Sequence, residues 1–399
     1  MAATLDAFLQ ARTARPADAV VLAEPVPLES VPTPALVVDV DLLERNLDRM
    51  ATFLAERGVG LRPHAKMHKC VEVARRQLER GAVGICVAKL AEAEVMAAGG
   101  IETILVTSPV VADGALDRLV ALVGRGLDVR TVVDDAGVVE RLGARACAAG
   151  VEVAVIVDLD PDMGRTGIAR GTPALDLVRH VARTDGVRFT GLQQYSGQVQ
   201  HLQGQAAREA GAREALALGR ETAARIEADG HPVVVFTGGG TGTFDIDSRP
   251  LDDGTGFTDL QCGSYAFMDE DYGAIGHGNH DRFDVFEPAL SVLVTAVSRP
   301  RAGLITVDGG IKSFAADTSR PAAIDERGAH VPGIRYHFGG DEHGILQLKE
   351  GAPDLRVGDR LRFAPSHCDP TVNLYDWIHA ARDGQVRELW PVAARGCSW

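Results

Sequence analysis

Residues 103–133 read TILVTSPVVADGALDRLVALVGRGLDVRTVV, and this stretch contains the unit from which most of the chain is built. Its two ends, Thr103–Thr107 and Val129–Val133, are short apolar runs rich in valine and isoleucine. Such runs are typical of buried strands, and a helix-length segment separates them. A strand, a helix and a second strand in this order predict a parallel sheet with crossover helices.

The same unit recurs along residues 35–275. Six further apolar runs are predicted to be strands, and helix-length stretches separate most of them: Leu61–His64, Val83–Val87, Val151–Val157, Phe189–Gln193, Val233–Phe236 and Thr258–Gln261. A helix at 41–57 completes the set, with Asp41 and Glu44 as its predicted capping box and Gly58 at its exit. Eight strands alternating with eight helices predict an α/β fold, a closed (β/α)8, TIM-like barrel.

This alternation stops after about residue 280. Four apolar runs beyond that point are predicted to be strands without helices between them: Ala289–Val297, Gly303–Val307, Ile345–Leu348 and Arg360–Phe363. They predict a smaller, β-rich C-terminal domain at 281–399 that follows a barrel domain at 36–280. The N-terminal segment, residues 1–35, contains five prolines and is predicted to pack on the β-rich domain.

The composition excludes several classes of protein. Of 399 residues, 46% are hydrophobic and 24% are charged, which is ordinary for a globular protein and excludes a disordered or fibrous chain. The 55 acidic and 41 basic residues give a net charge of −14, which argues against nucleic acid or an anionic membrane as a partner. We recognise no signal peptide and no run of ~18 apolar residues. Six cysteines without a CxxC pair are typical of reduced, cytoplasmic proteins.

Catalytic groups of such barrels lie at the carboxyl ends of the strands, so the residues after each strand are the candidates. After the first strand, residues 62–69 read RPHAKMHK, with two histidines, including His64, and two lysines, including Lys66. A single lysine there would be interpreted as a solvated charge, but this clustering favours a pocket. A lysine inside a pocket can have a depressed pKa and act as a Schiff-base nucleophile.

Two other strand ends carry weaker signals. The fifth strand is followed by DLDPDMGRTG at 158–167, in which Arg165 either belongs to a polar loop or binds an anion or phenolate. The sixth is followed by QYSGQVQH at 194–201. There Tyr195 can stack on a flat ligand, and His201 is either a general base or an incidental loop histidine.

Two loops of small residues follow the seventh and eighth strands, GGGTGT at 238–243 and QCGSY at 261–265. Small residues expose main-chain N–H groups, and the hydroxyls add donors, so such loops suit close approach of a phosphate. Phosphate sites recur at these two positions of TIM-like barrels. A nucleotide P-loop is disfavoured, because no GxxxxGK[ST] lysine follows.

The β-rich domain contributes PSHCDPT at 365–371. On an extended segment, His367 and Asp369 point to the same side and Cys368 faces away. One imidazole and one carboxylate suit a borderline-to-hard divalent metal, with water or substrate in the remaining positions. The alternative interpretation is a strand with polar ends.

Taken together, these features resemble the fold-type III pyridoxal-phosphate enzymes, whose general plan is that of alanine racemase. More closely, the chain resembles the D-threonine aldolase and D-serine dehydratase family. The shared stretches span nearly the whole chain: TPAL (33–36), RPHAKMHKC (62–70), GGGTGT (238–243), LQCGSYAFMDEDYG (260–273), DEHG (341–344) and PSHCDPTVNLYD (365–376).

The resemblance implies a role for each candidate residue. Lys66 would carry pyridoxal 5'-phosphate as a Schiff base, His201 would be the base, and His367 and Asp369 would bind the divalent metal. The other implied cofactor-binding residues are His64 near the lysine, Arg165 on the ring hydroxyl, Tyr195 against the ring, and Gly239, Gly240, Thr241, Ser264 and Tyr265 on the phosphate.

The residue two positions after the metal-binding histidine distinguishes the branches of this family. Aldolases resemble H-x-D and favour manganese or magnesium, whereas dehydratases resemble H-x-C and favour zinc. This chain reads His367-Cys368-Asp369, which favours the aldolase branch with Mn²⁺ or Mg²⁺. Zn²⁺ stays open, because a shifted backbone would present the thiolate of Cys368.

The resemblance therefore implies an aldolase that cleaves D-3-hydroxy amino acids, such as D-threonine or 3-hydroxy-D-aspartate, to glycine and an aldehyde, and that forms a homodimer. Two alternatives stay open. One is a D-serine or 3-hydroxyaspartate dehydratase that yields a keto acid and ammonia, and the other is a non-catalytic pyridoxal-phosphate-binding protein. The stretch FDIDSRPLDDGTGFTD at 244–259 is longer and more acidic than the family norm, and we expect it to affect access or substrate size.

Overall fold

The computed structural model describes residues 17–399, and its strands form two separate sheets. In chain order the strands are β1 (Val20–Pro27), β2 (Ala35–Asp39), β3 (Gly60–Leu61), β4 (Ile85–Val87), β5 (Thr103–Val106), β6 (Asp128–Val133), β7 (Val153–Asp160), β8 (Ile168–Ala169), β9 (Val187–Gln194), β10 (Val235–Gly238), β11 (Asp259–Leu260), β12 (Leu290–Arg301), β13 (Leu304–Val307), β14 (Ala322–Ile324), β15 (Ile334–Phe338), β16 (Gly344–Leu348), β17 (Arg360–Ala364), β18 (Trp377–Arg382) and β19 (Gln385–Pro391).

The helices lie mainly between the strands of the first sheet. They are α1 (Val40–Ala55), α2 (Val71–Glu79), α3 (Leu90–Ala98), α4 (Asp113–Gly124), α5 (Ala136–Ala149), α6 (Thr172–Arg183), α7 (Gly197–Gln200), α8 (Gln205–Ala228), α9 (Phe244–Asp247), α10 (Glu270–Gly273) and α11 (Cys368–Val372). None of the helices between residues 17 and 399 combines the length and the apolar character that a membrane crossing requires.

The first sheet is a closed parallel barrel, as predicted. Its strands pair in the order β3-β11-β10-β9-β7-β6-β5-β4, and the short β8 pairs with β7. A parallel bridge between His64 and Cys86 joins the chain beyond β3 to β4 and closes the ring. Each of the eight predicted strands overlaps one of these strands. Seven consecutive residues of β7 are buried. Strands that are covered on both faces have continuous apolar sequences, and this is why the apolar runs predicted the strands correctly.

Helix α1 begins earlier than the sequence pattern predicts. Its N-cap is Asp39, whose Oδ1 accepts a hydrogen bond from the main-chain N–H of Leu42 at 3.1 Å. The predicted capping box is therefore wrong, because β2 leads directly into the helix and Asp39 occupies the junction. Asp41 instead pairs with Arg382 at 3.0 Å, and Glu44 pairs with Arg76 at 2.8 Å.

The second sheet belongs mainly to the C-terminal part, and its central path runs β1-β19-β18-β2-β12-β13-β16-β15. Strand β1 pairs antiparallel with β19, so residues 17–35 pack on the β-rich part as predicted. Residues 1–16 of the predicted N-terminal segment lie outside the described residues. Strand β2 pairs with β12 and β18, so a strand from the predicted start of the barrel domain lies in the second sheet. The predicted domain limits stay predictions.

A short segment of the C-terminal part, residues 365–369, lies against the residues that follow β11. The main-chain N–H groups of Glu270 and Asp271 donate to the carbonyls of Pro365 and Ser366, both at 3.1 Å. The N–H of Cys368 donates to Asp269 at 2.8 Å. These bonds dock the segment on the loop after β11, so the predicted metal pair lies at the carboxyl end of the barrel strands.

Candidate active site

Lys66 lies in the turn after β3 and reaches the β-rich part of the chain. Its Nζ is 3.4 Å from Oδ1 of Asp369, and nearly half of its side chain is exposed at the mouth. The carboxylate of Asp369 raises the pKa of the Lys66 amine, against the opposing effects of burial and of Arg165. The depressed pKa expected for a lysine in a pocket is therefore wrong for this structure, because a carboxylate lies beside the amine. The neighbouring Lys69 is instead buried in an ion pair with Glu92. Of the two lysines in RPHAKMHK, Lys66 is therefore the one available for chemistry.

His64 supports the turn that carries Lys66. Its Nδ1 accepts from the main-chain N–H of Lys66 at 3.3 Å, and its Nε2 lies 3.0 Å from the hydroxyl of Thr107. That hydroxyl donates its own proton to the carbonyl of Val87, so the Nε2–H of His64 must be the donor to Thr107. Burial, and the positive charge of Lys66, lower the pKa of His64 well below its usual range. His64 is therefore a neutral imidazole in a fixed tautomer.

A chain of buried polar side chains lies under the mouth, which the sequence pattern did not identify. Gln261 donates to Gln193 at 3.0 Å, and Gln193 donates to Asp158 at 2.9 Å. Asp158 also accepts from Thr166 at 2.9 Å, which fixes the loop that carries Arg165. Burial raises the pKa of Asp158 to about 6. The sequence feature that could have indicated this chain is a polar residue at or just after the end of three apolar runs, at Asp158, Gln193 and Gln261.

Arg165 and Tyr195 lie at the ends of neighbouring strands β7 and β9. The Arg165 guanidinium carbon is 5.2 Å from the centre of the Tyr195 ring, within the range of a cation–π contact. Arg165 is exposed and Tyr195 is half-buried. Both groups lie close enough to Lys66 to affect the pKa of its amine, so a planar cation and an aromatic ring are near that amine.

His201 is held by a carboxylate. Its Nδ1 is 3.1 Å from Oδ2 of Asp271, and its ring centre is 4.8 Å from that of Tyr272. His201 lowers the pKa of Asp271 by hydrogen bonding and by its charge. Because the carboxylate occupies Nδ1, the second ring nitrogen, Nε2, is the one that can exchange a proton with a ligand.

The two loops of small residues meet, as the phosphate hypothesis requires. The main-chain N–H of Tyr265 donates to the hydroxyl of Thr241 at 3.1 Å, which joins one loop to the other. Gly239 has a φ of +67°, and a Cβ added at Gly240 would lie 2.5 Å from Oε1 of the buried Gln200. Among residues 17–399, the N–H groups of Gly239, Gly240 and Thr241 have no hydrogen-bond acceptor. They form a backbone cup that is free to bind an anion.

Tyr265 contributes to this cup only through its main chain. Its ring is fully buried, and its hydroxyl accepts a hydrogen bond from Gln77 at 3.1 Å, away from the loop. Burial raises the pKa of the Tyr265 phenol. Ser264, by contrast, lies at the junction of the two loops and keeps a hydroxyl without a structural partner among the described residues.

The metal candidates come together at the mouth. Nε2 of His367 is 3.6 Å from Oδ2 of Asp369. The expectation of an extended segment is wrong, since His367 is the N-cap of helix α11 and Asp369 lies in its first turn. The hydroxyl of Thr371 donates to the carbonyl of His367 at 2.7 Å, and an acidic residue is favoured near a helix N-terminus. No group of three or more His, Cys, Asp or Glu side chains suited to a metal occurs among residues 17–399, so this pair would supply two ligands.

Cys368 faces away from the pair, as predicted. It is fully buried, and its Sγ is 3.2 Å from the carbonyl of Met268. Burial raises the pKa of the Cys368 thiol well above its usual range. The arrangement therefore offers imidazole and carboxylate ligands, and no thiolate.

Comparison with known proteins agrees with this geometry. Residues 38–270 match the family model "Alanine racemase, N-terminal domain", and residues 289–381 match "Putative serine dehydratase domain". The chain is 37% identical over 370 residues to a 3-hydroxy-D-aspartate aldolase of Paracoccus denitrificans, with 92% of each chain covered. It is 38% identical over 372 residues to a D-threonine aldolase of an Arthrobacter species, covering 93% of this chain and 95% of the relative. The chain belongs to the D-threonine aldolase and D-serine dehydratase family.

Members of this family share the fold over nearly the whole chain. A crystal structure of D-threonine aldolase from Filomicrobium marinum matches with a TM-score of 0.88 at 38% identity, and covers 95% of this chain and 100% of that one. The family also contains a D-threo-3-hydroxyaspartate dehydratase of a Delftia species, 32% identical over 378 residues and covering 90% of this chain and 97% of the relative. The predicted family and fold are confirmed.

The acidic stretch at 244–259 packs on the outside of helix α8. The guanidinium of Arg213 donates to the carbonyls of Arg249 and Pro250 at 2.9 and 2.8 Å, and Gln205 donates to Asp245 at 2.9 Å. Of its acidic side chains, Asp247 and Asp259 are buried. Asp247 lies beneath Gly239, and burial raises its pKa to about 7. These contacts place the stretch against helix α8 and behind the backbone cup at Gly239–Thr241.

Proposed function

We propose that this member of the family is a pyridoxal-phosphate- and divalent-metal-dependent aldolase that cleaves D-3-hydroxy amino acids to glycine and an aldehyde. The observation that carries the proposal is the 3.4 Å approach of the Lys66 amine to Asp369, because it unites a cofactor-binding lysine with a metal pair. The aldolase relatives, which match over more than nine-tenths of the chain, support the assignment.

The described residues fit the cofactor. The backbone cup at Gly239–Thr241 would bind its phosphate, Arg165 would pair with its ring hydroxyl, and Tyr195 would cover its ring. The neutral imidazole of His64 would leave the positive charge at Arg165 to select a phenolate. When bound, pyridoxal phosphate supplies a conjugated ring that accepts the electron pair released at the substrate Cα.

The described residues also fit a divalent cation of the harder kind. His367 and Asp369 present one imidazole and one carboxylate, and the thiol of Cys368 is buried on the other side. Such a donor set suits Mn²⁺ or Mg²⁺ better than Zn²⁺, which favours thiolate. A cation there would lower the pKa of a bound β-hydroxyl.

The chain's own groups then divide the work. Nε2 of His201 takes the proton of the β-hydroxyl, and Asp271 on Nδ1 stabilises the imidazolium that forms. As the proton leaves, an oxygen electron pair would form the carbonyl of the aldehyde, the Cα–Cβ bond would break, and Cα would then take up a proton to give glycine. Lys66 would hold the cofactor until the substrate amine displaces it.

The test is to incubate the purified protein, loaded with pyridoxal phosphate and Mn²⁺, with D-threonine. We expect glycine and acetaldehyde in equal amounts, and no turnover of L-threonine. The same assay with D-3-hydroxyaspartate, D-phenylserine and D-serine, each with and without Mn²⁺, would define the substrate class. Absence of cleavage in every mixture would contradict the proposal.

A dehydratase is the second candidate, and the Delftia relative favours it. In that reaction Lys66 would remove the α-proton and the β-hydroxyl would leave as hydroxide, whose negative charge a cation held by His367 and Asp369 would stabilise. D-Threonine would then give 2-oxobutyrate and ammonia, without acetaldehyde. A protein that binds pyridoxal phosphate and yields neither set of products would be the non-catalytic carrier.

We further propose a cytoplasmic homodimer that contacts only small D-amino acid substrates, without nucleic acid or membrane. The free thiols of all six cysteines and the net charge of −14 support this. Light scattering coupled to size-exclusion chromatography would show a mass of twice 42.3 kDa.

A further inference from the structure

A third acidic residue, Asp317, contacts the metal candidate His367 from the side opposite to Asp369. Asp317 lies in the loop between β13 and β14, and its Oδ2 is 2.8 Å from Nδ1 of His367. Nε2, on the other edge of the same ring, is 3.6 Å from Asp369. One imidazole thus lies between two carboxylates, one on each nitrogen.

These two contacts have different consequences for metal binding. A neutral imidazole has one N–H and one lone pair, and only the lone pair can bind a cation. With the N–H on Nδ1 and donated to Asp317, the lone pair stays on Nε2, facing Asp369. Without Asp317, an Nε2–H would donate to Asp369 and thereby block the position that a metal needs.

We propose that Asp317 is the positioning residue that sets the tautomer and orientation of His367 for divalent-metal binding. This inference rests on the proposed metal site. Carboxylate partners of metal-binding histidines commonly act in this way, and their loss weakens metal affinity by about 10- to 100-fold. Asp317 is not itself a ligand here, because its contact is on the ring edge that faces away from Asp369.

The loop that carries Asp317 is docked independently of this side chain. The main-chain N–H of Ala315 donates to the hydroxyl of Thr371 at 3.0 Å. The hydroxyl of Ser366 in turn donates to the carbonyl of Ala315 at 2.6 Å. Asp317 itself is 46% exposed, and an ion pair this exposed contributes little to folding stability. Replacing Asp317 should therefore change His367 without unfolding the loop.

The experiment measures Mn²⁺ binding to the enzyme loaded with pyridoxal phosphate, by electron paramagnetic resonance of the free ion. We expect Asp317→Ala to weaken Mn²⁺ affinity by about 10- to 100-fold. Asp317→Asn should lose less, because its amide oxygen still accepts the Nδ1–H while the charge is gone. Cofactor absorbance and the melting temperature should match the wild type, and saturating Mn²⁺ should restore turnover in both variants.

Two control variants separate this role from general effects. Glu140→Gln removes a carboxylate from His180, a remote His–carboxylate pair at 3.3 Å, and should change nothing. Asp271→Asn removes the carboxylate from His201 and should lower turnover without changing Mn²⁺ affinity.

Each remaining outcome is decisive. Unchanged Mn²⁺ affinity in Asp317→Ala would overturn the inference and leave the proposed function intact. Equal losses in the Ala and Asn variants, not restored by saturating Mn²⁺, would mean that Asp317 is a ligand, which also overturns it. A wild type that binds no Mn²⁺ but cleaves D-threonine would overturn the metal role itself.

Discussion

The proposed phosphate site is made of main chain, whereas the proposed metal site is made of side chains. The first consists of N–H groups at Gly239–Thr241, supported from behind by the buried Gln200 and Asp247. The second consists of His367 and Asp369, which are partly exposed and come from the β-rich part of the chain. Lys66 lies between the two, within the barrel but in contact with Asp369.

This difference teaches where each site is vulnerable. The backbone cup loses its ability to bind an anion when an added atom displaces the main chain. Because the residues behind it are tightly packed, such a substitution should also lower the stability of the fold. The partly exposed charged groups of the metal site lose function when a charge or a tautomer changes, and we expect their substitution to cost less stability than damage to the packed cup. Substitutions in the proposed phosphate site should therefore lower cofactor affinity and stability, whereas substitutions in the proposed metal site should lower metal affinity alone.

The largest effect is expected at Lys66, which lies between the proposed phosphate site and the proposed metal site. Lys66→Ala should remove covalent attachment of the cofactor and lower turnover by more than about 10³-fold, because the neighbouring Lys69 is held in a buried ion pair with Glu92 and cannot replace it. Borohydride treatment followed by peptide mass analysis should find the cofactor on Lys66 in the wild type only. The exposed Lys349 provides a control, since Lys349→Ala should behave as the wild type. Label on any other lysine would contradict the assignment.

A methyl group in the phosphate cup should have the next largest effect. The Cβ of Gly240→Ala would lie 2.5 Å from the buried Oε1 of Gln200, which also accepts from the N–H of Gly242 at 3.1 Å. We expect about 10-fold weaker binding of pyridoxal phosphate and a loss of about 1–3 kcal/mol in stability. Fluorescence titration and thermal melts measure the two.

Gly114 is the matched control for that substitution. It lies in helix α4, and an added Cβ there would meet nothing within 4 Å. Gly114→Ala should therefore leave cofactor binding unchanged and should not destabilise the fold, because alanine is favoured over glycine in a helix. Shortening Gln200 to alanine should remove the clash with the new methyl group. The double variant Gln200→Ala/Gly240→Ala should therefore lose less stability than the sum of the two single variants. Strict additivity would show that the contact is not the cause.

Behind the cup, Asp247 should make stability depend on pH. Burial raises its pKa to about 7 in the folded protein, whereas an unfolded aspartate has a pKa of about 3.9. The folded state thus holds the proton more tightly. The contribution of Asp247 to the free energy of unfolding is therefore fully present below about pH 4 and is lost as the pH rises through about 7. Asp247→Asn, which stays neutral, should equal the wild type at pH 4 and exceed it by on the order of 2 kcal/mol at pH 8.

Chemical unfolding at the two pH values tests this expectation. Asp252→Asn is the control, because Asp252 lies in the same stretch but is exposed. It should show no pH-dependent difference from the wild type. The same absence of difference in Asp247→Asn would mean that the buried carboxyl is ionised and compensated.

The same contrast explains what the sequence could predict. The barrel and the two glycine-rich loops were predictable because each depends on a local pattern, an apolar run or a cluster of glycines, at a position that the fold defines. The proximity of His367 and Asp369 was predictable because they are two positions apart in sequence. Asp317 and Asp271 were not, since their histidine partners are 50 and 70 residues away along the chain and only the fold brings them together.

Two local errors have the same origin. Both the N-cap of α1 and the helical turn at His367 depend on where the preceding strand ends and on which neighbour docks there. Tyr265 shows a further limit, because a motif can place a residue in the correct loop without indicating which way its side chain points. Its ring is buried against Gln77, and only its N–H belongs to the cup.

The smallest effect is expected at Cys368, the residue that left the choice of metal open in the sequence. Because its Sγ contacts the carbonyl of Met268 and not the mouth, Cys368→Ser should keep Mn²⁺ affinity and turnover within about 2-fold of the wild type, at a stability cost of about 1 kcal/mol. Asp369→Cys is its counterpart, since it adds a thiolate at the mouth and should exchange Mn²⁺ preference for Zn²⁺. Titration of both ions into each variant measures the preference. Loss of Mn²⁺ binding in Cys368→Ser would show that the thiol is a metal ligand. The contrast between the partly exposed pair His367 and Asp369 and the buried Cys368 would then no longer hold.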